Sequence, residues 1–249
     1  MKALPESYRV LAVESSAGPA SCALLHVQGE RQSVLCSATV NTRLTHSQTL
    51  MPMIEDMLHN AGLSLDDVDA LAVAAGPGSF TGVRIGVAAV KGLAFPQDLP
   101  CAAVSTLAGM AYRFEGLPMT CDILTVMDAR CRQVYTALFS LENGVLTRVA
   151  ADEALALDEL AERLKVRTNP IVVIGDGAAL CCAELSEHVP LLQPAPTGLC
   201  DQHAIGVARA AVPLFASGEY ESGDSLQPQY LRLPQAEREL RRRQAETIN

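Results

Sequence analysis

The stretch covering residues 70–94 constrains the fold more than any other part of the chain. It opens with an apolar run at 70–75, which predicts a buried β-strand. A Gly-Pro-Gly triplet at 76–78 ends the run, because this triplet suits a sharp turn and cannot continue a strand. Ser79 and Thr81 are good N-cap residues for a helix that follows. The stretch therefore predicts a strand, a tight turn and a helix in direct succession.

Small residues recur at helical spacing along this predicted helix. They are Gly82, Gly86, Ala89 and Gly92. Glycine inside a helix costs about 1 kcal/mol relative to alanine, so several in one helix indicate that another group approaches its backbone closely. That group could be a phosphate, the neighbouring sheet or another subunit.

The loop at 76–82 could hold an anion, since free N–H groups and the helix dipole favour negative charge at a helix N-terminus. Arg84 lies in the first turn and could reach a phosphate there. The loop is not a Walker loop, because no Gly-Lys-Ser/Thr follows it. We favour tight packing over a bound anion.

Composition limits the class of protein. The 249 residues are 49% hydrophobic, enough for one large domain or two small lobes, and the net charge of −9 argues against nonspecific binding to nucleic acid or membranes. We find no apolar run of about 18 residues and no apolar core of a signal peptide near the N-terminus. Eight cysteines without a CxxC pair favour reduced, buried thiols. We therefore expect a cytoplasmic protein without membrane attachment.

One pattern occurs twice in the chain. A strand at 8–13 ends at Glu14 and is followed by two more strands, and a strand at 122–127 ends at Asp128 in the same way. A fixed offset places Glu14 on Asp128, which indicates an internal duplication. The sequence therefore predicts an α/β fold of two duplicated lobes joined near residues 100–106.

This layout resembles the actin, sugar kinase and Hsp70 superfamily (actin-like ATPases, ribonuclease H-like). In that superfamily a cleft between the lobes holds ATP, and the hairpin corners face its phosphates. We predict a first lobe at 1–103, which would also carry dimerisation, a second lobe at 104–231, and a basic, exposed tail at 232–249.

The two acidic corners are where a nucleotide enzyme would place a Mg²⁺ ligand or a general base, although turn residues are equally compatible with the pattern. A second glycine loop follows the strand at 171–174. The possible nucleotide contacts are Glu14, Gly78, Arg84, Asp128, Gly175, Asp176 and Gly177. No two of the five histidines are four residues apart, and no spacing supplies a nucleophile with its base, so we predict neither metal ligands nor catalytic residues.

Five sequence blocks carry a resemblance to a known family. The main one is the glycine stretch at 76–86; the others lie at 46–52, 100–107, 128–135 and 228–232. The chain resembles the bacterial TsaB (YeaZ) family over about residues 9–232. Where that family usually has Asp in the first hairpin, this chain has Glu14.

The resemblance implies a non-catalytic subunit. Proteins of this family bind and activate TsaD, a catalytic paralogue that forms N6-threonylcarbamoyladenosine next to the anticodon of ANN-decoding tRNAs, and TsaE, an ATPase, joins them. TsaD carries a His-x-x-x-His metal motif, which falls here on Thr106 and Met110, with the acid between them on Ala108. The resemblance thus implies no cofactor of its own, ATP and Mg²⁺ at most at the complex interface, tRNA contact only through the complex, and a homodimer when alone.

We expect an amphipathic helix at 46–61 to pair with the glycine helix in one interface for both dimers. The predicted interface residues are His46, Leu50, Met53, Ile54, Met57, Gly82, Gly86 and Ala89. A bulky residue at Gly86 should then block pairing and leave the monomer folded. The alternative is an ATP-dependent kinase or carbamoyltransferase that works in its own cleft between the lobes. A peptidase is disfavoured, because no nucleophile with a base is found.

Overall fold

The structure is a computed structural model that describes residues 4–42 and 44–232. The predicted tail therefore lies outside the described residues, apart from Arg232. No helix in the described part of the chain combines the length and the apolar character needed to cross a membrane.

The first sheet is mixed, with an antiparallel meander at one side and parallel strands at the other. Its order is β3-β2-β1-β4-β5, extended by a two-residue strand, β11, at the β5 edge. The strands are β1 (Ser7–Glu14), β2 (Ala20–Gln28), β3 (Arg31–Val40), β4 (Ala70–Gly76), β5 (Pro100–Ser105) and β11 (Glu221–Ser222). β4 is parallel to β1 and to β5, so it is covered on both faces and its sequence is apolar throughout.

The second sheet repeats the first. Its order, β8-β7-β6-β9-β10, again places the meander at one side and the parallel strands at the other. The strands are β6 (Cys121–Asp128), β7 (Gln133–Glu142), β8 (Val145–Ala156), β9 (Ile171–Ile174) and β10 (Leu192–Pro194). The predicted duplication and the two-lobed α/β fold are therefore confirmed.

Helices cover both faces of the first sheet. The described helices are α1 (His46–Asn60), α2 (Phe80–Ala94), α3 (Thr106–Ala111), α4 (Leu157–Leu164), α5 (Ala178–Leu185), α6 (Thr197–Cys200) and α7 (Ala204–Ser217). Successive β1 residues point to opposite faces, so Leu11 and Val13 pack in the core that contains residues of α1 and α2, whereas Val10 and Ala12 lie in the core that contains residues of α7. Ser79 is the N-cap of α2 and accepts a hydrogen bond from Gly82 N (3.3 Å).

The chain returns to the first sheet after completing the second. The prediction assigned residues 104–231 to the second lobe, but α7 packs against strands of the first sheet and β11 pairs with β5. α7 also packs on α3, where a Cβ at Gly206 would lie 1.9 Å from the Gly109 carbonyl oxygen. This close approach between helices joins the two halves of the molecule at a position that no local pattern marks.

Candidate functional site

The carboxyl ends of β1, β4 and β6 open onto one cleft with a volume of about 660 Å³. Its lining residues are 16–18, 78–81 and 127–130, together with Tyr135, Asp176, Tyr230 and Arg232. Three predicted nucleotide contacts, Gly78, Asp128 and Asp176, meet here. The other four, Glu14, Arg84, Gly175 and Gly177, lie outside this lining.

Glu14, at the first hairpin corner, is fully buried. Its Oε1 accepts a hydrogen bond from the backbone N–H of Ser16 at 2.6 Å, so it closes its own turn. Burial raises the pKa of Glu14 to about 7, against the opposing effect of hydrogen bonds from Ser16 and Ser15. Glu14 is therefore a structural turn residue here and does not face the cleft.

The N-terminus of α2 covers this first corner. A Cβ at Gly82 would lie 2.1 Å from the Ser15 carbonyl oxygen, and one at Gly78 would lie 2.6 Å from the Ser16 carbonyl oxygen. Ser15 Oγ donates to the Gly82 carbonyl at 2.9 Å, and Ser79 N donates to the Ser16 carbonyl at 2.7 Å. Both glycines are thus explained by packing against the chain's own hairpin corner, without a phosphate or a second subunit.

Gly86 also faces inward. A Cβ there would lie 2.5 Å from Ser15 Oγ and 3.3 Å from Val73 Cγ2. The predicted interface is corrected at this point, because Gly82 and Gly86 are buried and have no free surface for a partner helix. For the same reason a bulky residue at Gly86 would destabilise the monomer, contrary to the prediction.

The helix α1 gives a similar result. Four of its predicted interface residues are buried in the core beneath the helix: Leu50, Met53, Ile54 and Met57. His46 is half-buried, and its Nε2 lies 2.8 Å from the Ala17 carbonyl oxygen, which links the start of α1 to the first hairpin. Of the three small α2 residues in the predicted interface, Gly82, Gly86 and Ala89, only Ala89 is partly exposed. The apolar residues that the helical spacing picked out on α1 therefore face the core of this chain and not a partner.

The second hairpin corner is open to solvent. Asp128 is exposed, and its Oδ1 accepts a hydrogen bond from Arg130 N at 2.7 Å, the same bond that Glu14 makes in the first copy. Asp176 Oδ1 accepts a bond from Asp128 N at 3.3 Å. Desolvation raises the pKa of Asp176, and the nearby Asp128 charge adds to the rise. The two carboxyl groups form the acidic floor of the cleft.

Gly175 and Gly177 lie behind this floor. A Cβ at Gly175 would lie 2.1 Å from the Val126 carbonyl oxygen, and one at Gly177 would lie 3.1 Å from Asp128 N. Gly175 also has a φ of +106°, which glycine adopts readily. The two glycines let the turn between β9 and α5 pack on β6, so a strand-to-helix turn explains them better than a phosphate loop.

An aromatic and arginine cluster forms the rim of the cleft on the α2 side. The Phe80 and Tyr230 rings stack with centroids 5.0 Å apart, and the Arg84 guanidinium lies 3.7 Å from the Phe80 centroid. Arg84 Nε donates to Tyr230 Oη at 2.9 Å. The reasoning from sequence missed Phe80 and Tyr230, because the two are far apart in the chain.

Tyr230 belongs to a segment, residues 226–232, that we call the C-terminal strap. Gln229 N donates to the Ala75 carbonyl at 2.7 Å, at the end of β4. Arg232 Nη1 then donates to the Ala129 carbonyl at 3.3 Å, and Arg232 Nη2 donates to Gln133 Oε1, in the second hairpin. The strap therefore connects the first sheet to the second lobe along the cleft.

The positions that matched the paralogue's metal motif are buried in α3. Thr106, Ala108 and Met110 are at most 8% exposed. Within residues 4–42 and 44–232, no group of three or more His, Cys, Asp or Glu side chains could hold a metal ion. All eight cysteines are free thiols; four are buried and three are partly exposed. The sequence predicted buried cysteines, but Cys131 is exposed, in the turn of the second hairpin.

Comparison with known proteins gives a consistent group of relatives. The family model "TsaD: tRNA N6-adenosine threonylcarbamoyltransferase" matches residues 40–217. A Bacillus subtilis (strain 168) protein named "tRNA threonylcarbamoyladenosine biosynthesis protein TsaB" is 34% identical over 233 residues, which cover 92% of this chain and 96% of the relative. The Escherichia coli (strain K12) protein of the same name is 34% identical over 175 residues, 68% of this chain and 71% of the relative.

The solved structure described as "YeaZ from Pseudomonas aeruginosa" superposes with a TM-score of 0.69. It is 31% identical in sequence, and the match covers 90% of this chain and 100% of that one. The similarity thus extends from sequence to fold over nearly the whole chain.

Proposed function

Because the chain belongs to the TsaB (YeaZ) family of tRNA threonylcarbamoyladenosine biosynthesis proteins, we propose that it is a non-catalytic subunit that binds and activates a TsaD-like threonylcarbamoyltransferase. In this proposal the paralogue supplies the active site, and a TsaE-like ATPase joins the pair. Any ATP and Mg²⁺ bind at the complex interface. Without its partners, the chain forms a homodimer through its first lobe, and it acts in the cytoplasm.

The observation that carries the proposal is the outward face of α2. Ala88 and Gly92 are exposed one helical turn apart, and a Cβ at Gly92 would meet no heavy atom within 4 Å. Two large apolar side chains are exposed on the face of the first sheet that α1 and α2 cover. They are Met51 of α1, which is 44% exposed, and Phe95 just after α2, which is 80% exposed. Small residues allow a second helix to approach closely, and exposed apolar side chains gain from being covered.

In the proposed interface, the exposed residues Ala88 and Gly92 take the place of the buried Gly82 and Gly86. Ala89, which is partly exposed, remains part of it. α1 also borders a groove of about 710 Å³ against β3, where Leu35 and Leu44 are exposed. We include this groove as the second apolar surface of the first lobe available to a partner.

A non-catalytic role is supported by what occupies the metal-motif positions. Thr106, Ala108 and Met110 carry no carboxylate or imidazole ligand, and they are packed in α3. At the first hairpin corner, where an actin-like ATPase would bind phosphate, α2 packs against Ser15 and Ser16, and the Glu14 carboxyl is buried.

The alternative remains an ATP-dependent kinase or carbamoyltransferase that uses its own cleft. The open second corner favours it, since Asp128 and Asp176 could take a Mg²⁺–nucleotide complex. Binding and hydrolysis of ATP with Mg²⁺ by the isolated chain distinguishes the two. Micromolar binding with turnover would establish the alternative.

The main test is co-purification with the catalytic paralogue, followed by a threonylcarbamoyl-transfer assay with and without this chain. We expect a stable complex and faster transfer. Ala88→Glu should abolish both, because it places a charge in the helix contact, whereas its monomer should keep its melting temperature. Ala179→Glu, an identical change on the exposed side of α5, is the matched control and should pair normally. Unchanged pairing by Ala88→Glu would contradict the proposed face.

A further inference from the structure

The rim of the cleft presents an aromatic surface that the partner role does not use. Phe80 and Tyr230 are 37% and 41% exposed although they stack on each other, and Arg84 lies over the Phe80 ring. Aromatic rings combined with arginine are typical of surfaces on which nucleic acid bases stack.

Two arginines, Arg130 and Arg232, lie on the side of the cleft opposite Phe80. Arg130 is exposed in the second hairpin, and Arg232 lies 5.6 Å from the centroid of the Tyr135 ring. Arg130 and Arg232 line the cleft, and Arg84 contacts the two rim residues Phe80 and Tyr230, so cations lie on both sides of the cleft in a chain whose net charge is −9. Such a local concentration attracts phosphates despite the overall acidity.

The floor of the cleft is acidic, in contrast to its arginine-bearing sides. Asp128 and Asp176 present carboxylate oxygens, which repel phosphate and accept hydrogen bonds from the exocyclic amines of adenine, cytosine and guanine. In the described part of the chain, these two carboxylates do not belong to any cluster of three or more potential metal ligands. A base can therefore point inward while its phosphates stay at the arginines, which is the reverse of an ATPase cleft.

We propose that this cleft binds an unpaired base of single-stranded RNA, stacked at Phe80 and Tyr230, so that the chain contacts the RNA substrate directly. The cleft volume of about 660 Å³ lies within the range of roughly 300–1,000 Å³ typical of small-ligand pockets. The proposal rests on the proposed function for the source of the RNA, and it adds to that function a contact made by this chain's own residues.

The test is fluorescence anisotropy of the full-length chain with a short, labelled single-stranded RNA of mixed sequence. We expect saturable binding that is stronger than binding to a base-paired duplex of the same length. Tyr230→Ala should weaken binding about tenfold, the usual effect of losing one stacking aromatic. Arg84→Ala and Arg130→Ala should each reduce the slope of log affinity against log salt by about 0.7.

Two variants keep the test interpretable. Tyr230→Phe retains the ring and should bind nearly as wild type, which separates stacking from misfolding. Arg163→Ala removes an exposed charge in α4, away from the cleft, and should leave RNA binding unchanged. Equal affinity of Tyr230→Ala and wild type, no preference for single strands, or tight Mg²⁺–ATP binding without RNA binding would each overturn the proposal.

The outcome is separable from that of the proposed function. Gly92→Glu, on the same outward face, should lose the protein partner and still bind RNA, because Gly92 does not line the cleft and lies two helical turns from Arg84. RNA binding without pairing would leave only this inference standing, and pairing without RNA binding would leave only the proposed function.

Discussion

The two acidic corners show how one residue type acquires different properties from its surroundings. Glu14 and Asp128 each accept a hydrogen bond from the backbone N–H two residues later, at 2.6 and 2.7 Å. α2 covers the first corner, and the second faces the cleft. The turn bond is a property of the local sequence, whereas exposure depends on what packs over the turn.

At the residue scale we predict a pH-dependent stability that originates at Glu14. Burial raises its pKa from 4.5 to about 7, so the folded state holds the proton more tightly than the unfolded state. The contribution of Glu14 to stability is complete below pH 4.5 and is lost as the pH rises through 7. Between pH 5 and pH 8 the wild type should lose about 2–3 kcal/mol relative to Glu14→Gln, which keeps the acceptor oxygen but cannot ionise.

Urea denaturation of both proteins at the two pH values measures this difference. Asp128→Asn serves as the control, because it changes the equivalent turn at the exposed corner. Parallel pH profiles for wild type and Glu14→Gln would show that the Glu14 carboxyl is not the buried group inferred here.

At the scale of a single element, the glycines of α2 serve different purposes. Gly82 and Gly86 face the first hairpin and have no room for a side chain, whereas Gly92 faces open solvent. All lie on one 15-residue helix, which packs beside α1 over the first sheet. The helix thus uses its inner small residues for its own fold and leaves its outer small residues free for another helix.

Two alanine substitutions should therefore have opposite effects on stability. Gly82→Ala places a Cβ against the Ser15 carbonyl and should destabilise the fold by about 1–3 kcal/mol, the usual cost of overpacking. Gly92→Ala meets no neighbour and should stabilise the helix by up to about 1 kcal/mol. Thermal melts of both variants decide the matter. If Gly82→Ala melts at or above the wild-type temperature, α2 does not pack on the hairpin this closely.

At the scale of the whole molecule, segments distant in sequence hold the two lobes together. α7 returns to the first sheet, and the C-terminal strap runs from the end of β4 to the second hairpin. Ser105, at the start of α3, also donates to Asp152 of the second sheet. The cleft therefore has its walls in both lobes, and the strap supplies part of its rim.

We predict that Arg232→Ala loosens the second hairpin without unfolding the first lobe. Arg232 donates to Ala129 and Gln133, so its loss should raise amide hydrogen exchange at residues 129–133 about fivefold, as expected when about 1 kcal/mol of local stability is lost. Exchange in β1 should stay as in wild type. Arg163→Ala, in α4, is the control. Unchanged exchange at the hairpin would mean that the strap does not hold it.

Local patterns in the sequence were sufficient for the elements and for their repetition. Apolar runs gave β4 and β9, amphipathic spacing gave α1, and the two strand–acid corners gave the duplicated lobes. These features depend on residues near one another in the chain, where the helical and strand periods are directly visible. The family resemblance rested on the same local blocks.

The tertiary structure alone decided which side of each element is free. The spacing of Gly82 and Gly86 showed that something approaches α2, but it could not distinguish a partner from the chain's own hairpin, because both require the same missing side chain. The site likewise depended on Phe80 meeting Tyr230, a contact between distant segments that no local period encodes. The sequence by itself determined the elements and their duplication, and only packing determined the burial of Glu14, the openness of Asp128 and the cleft between them.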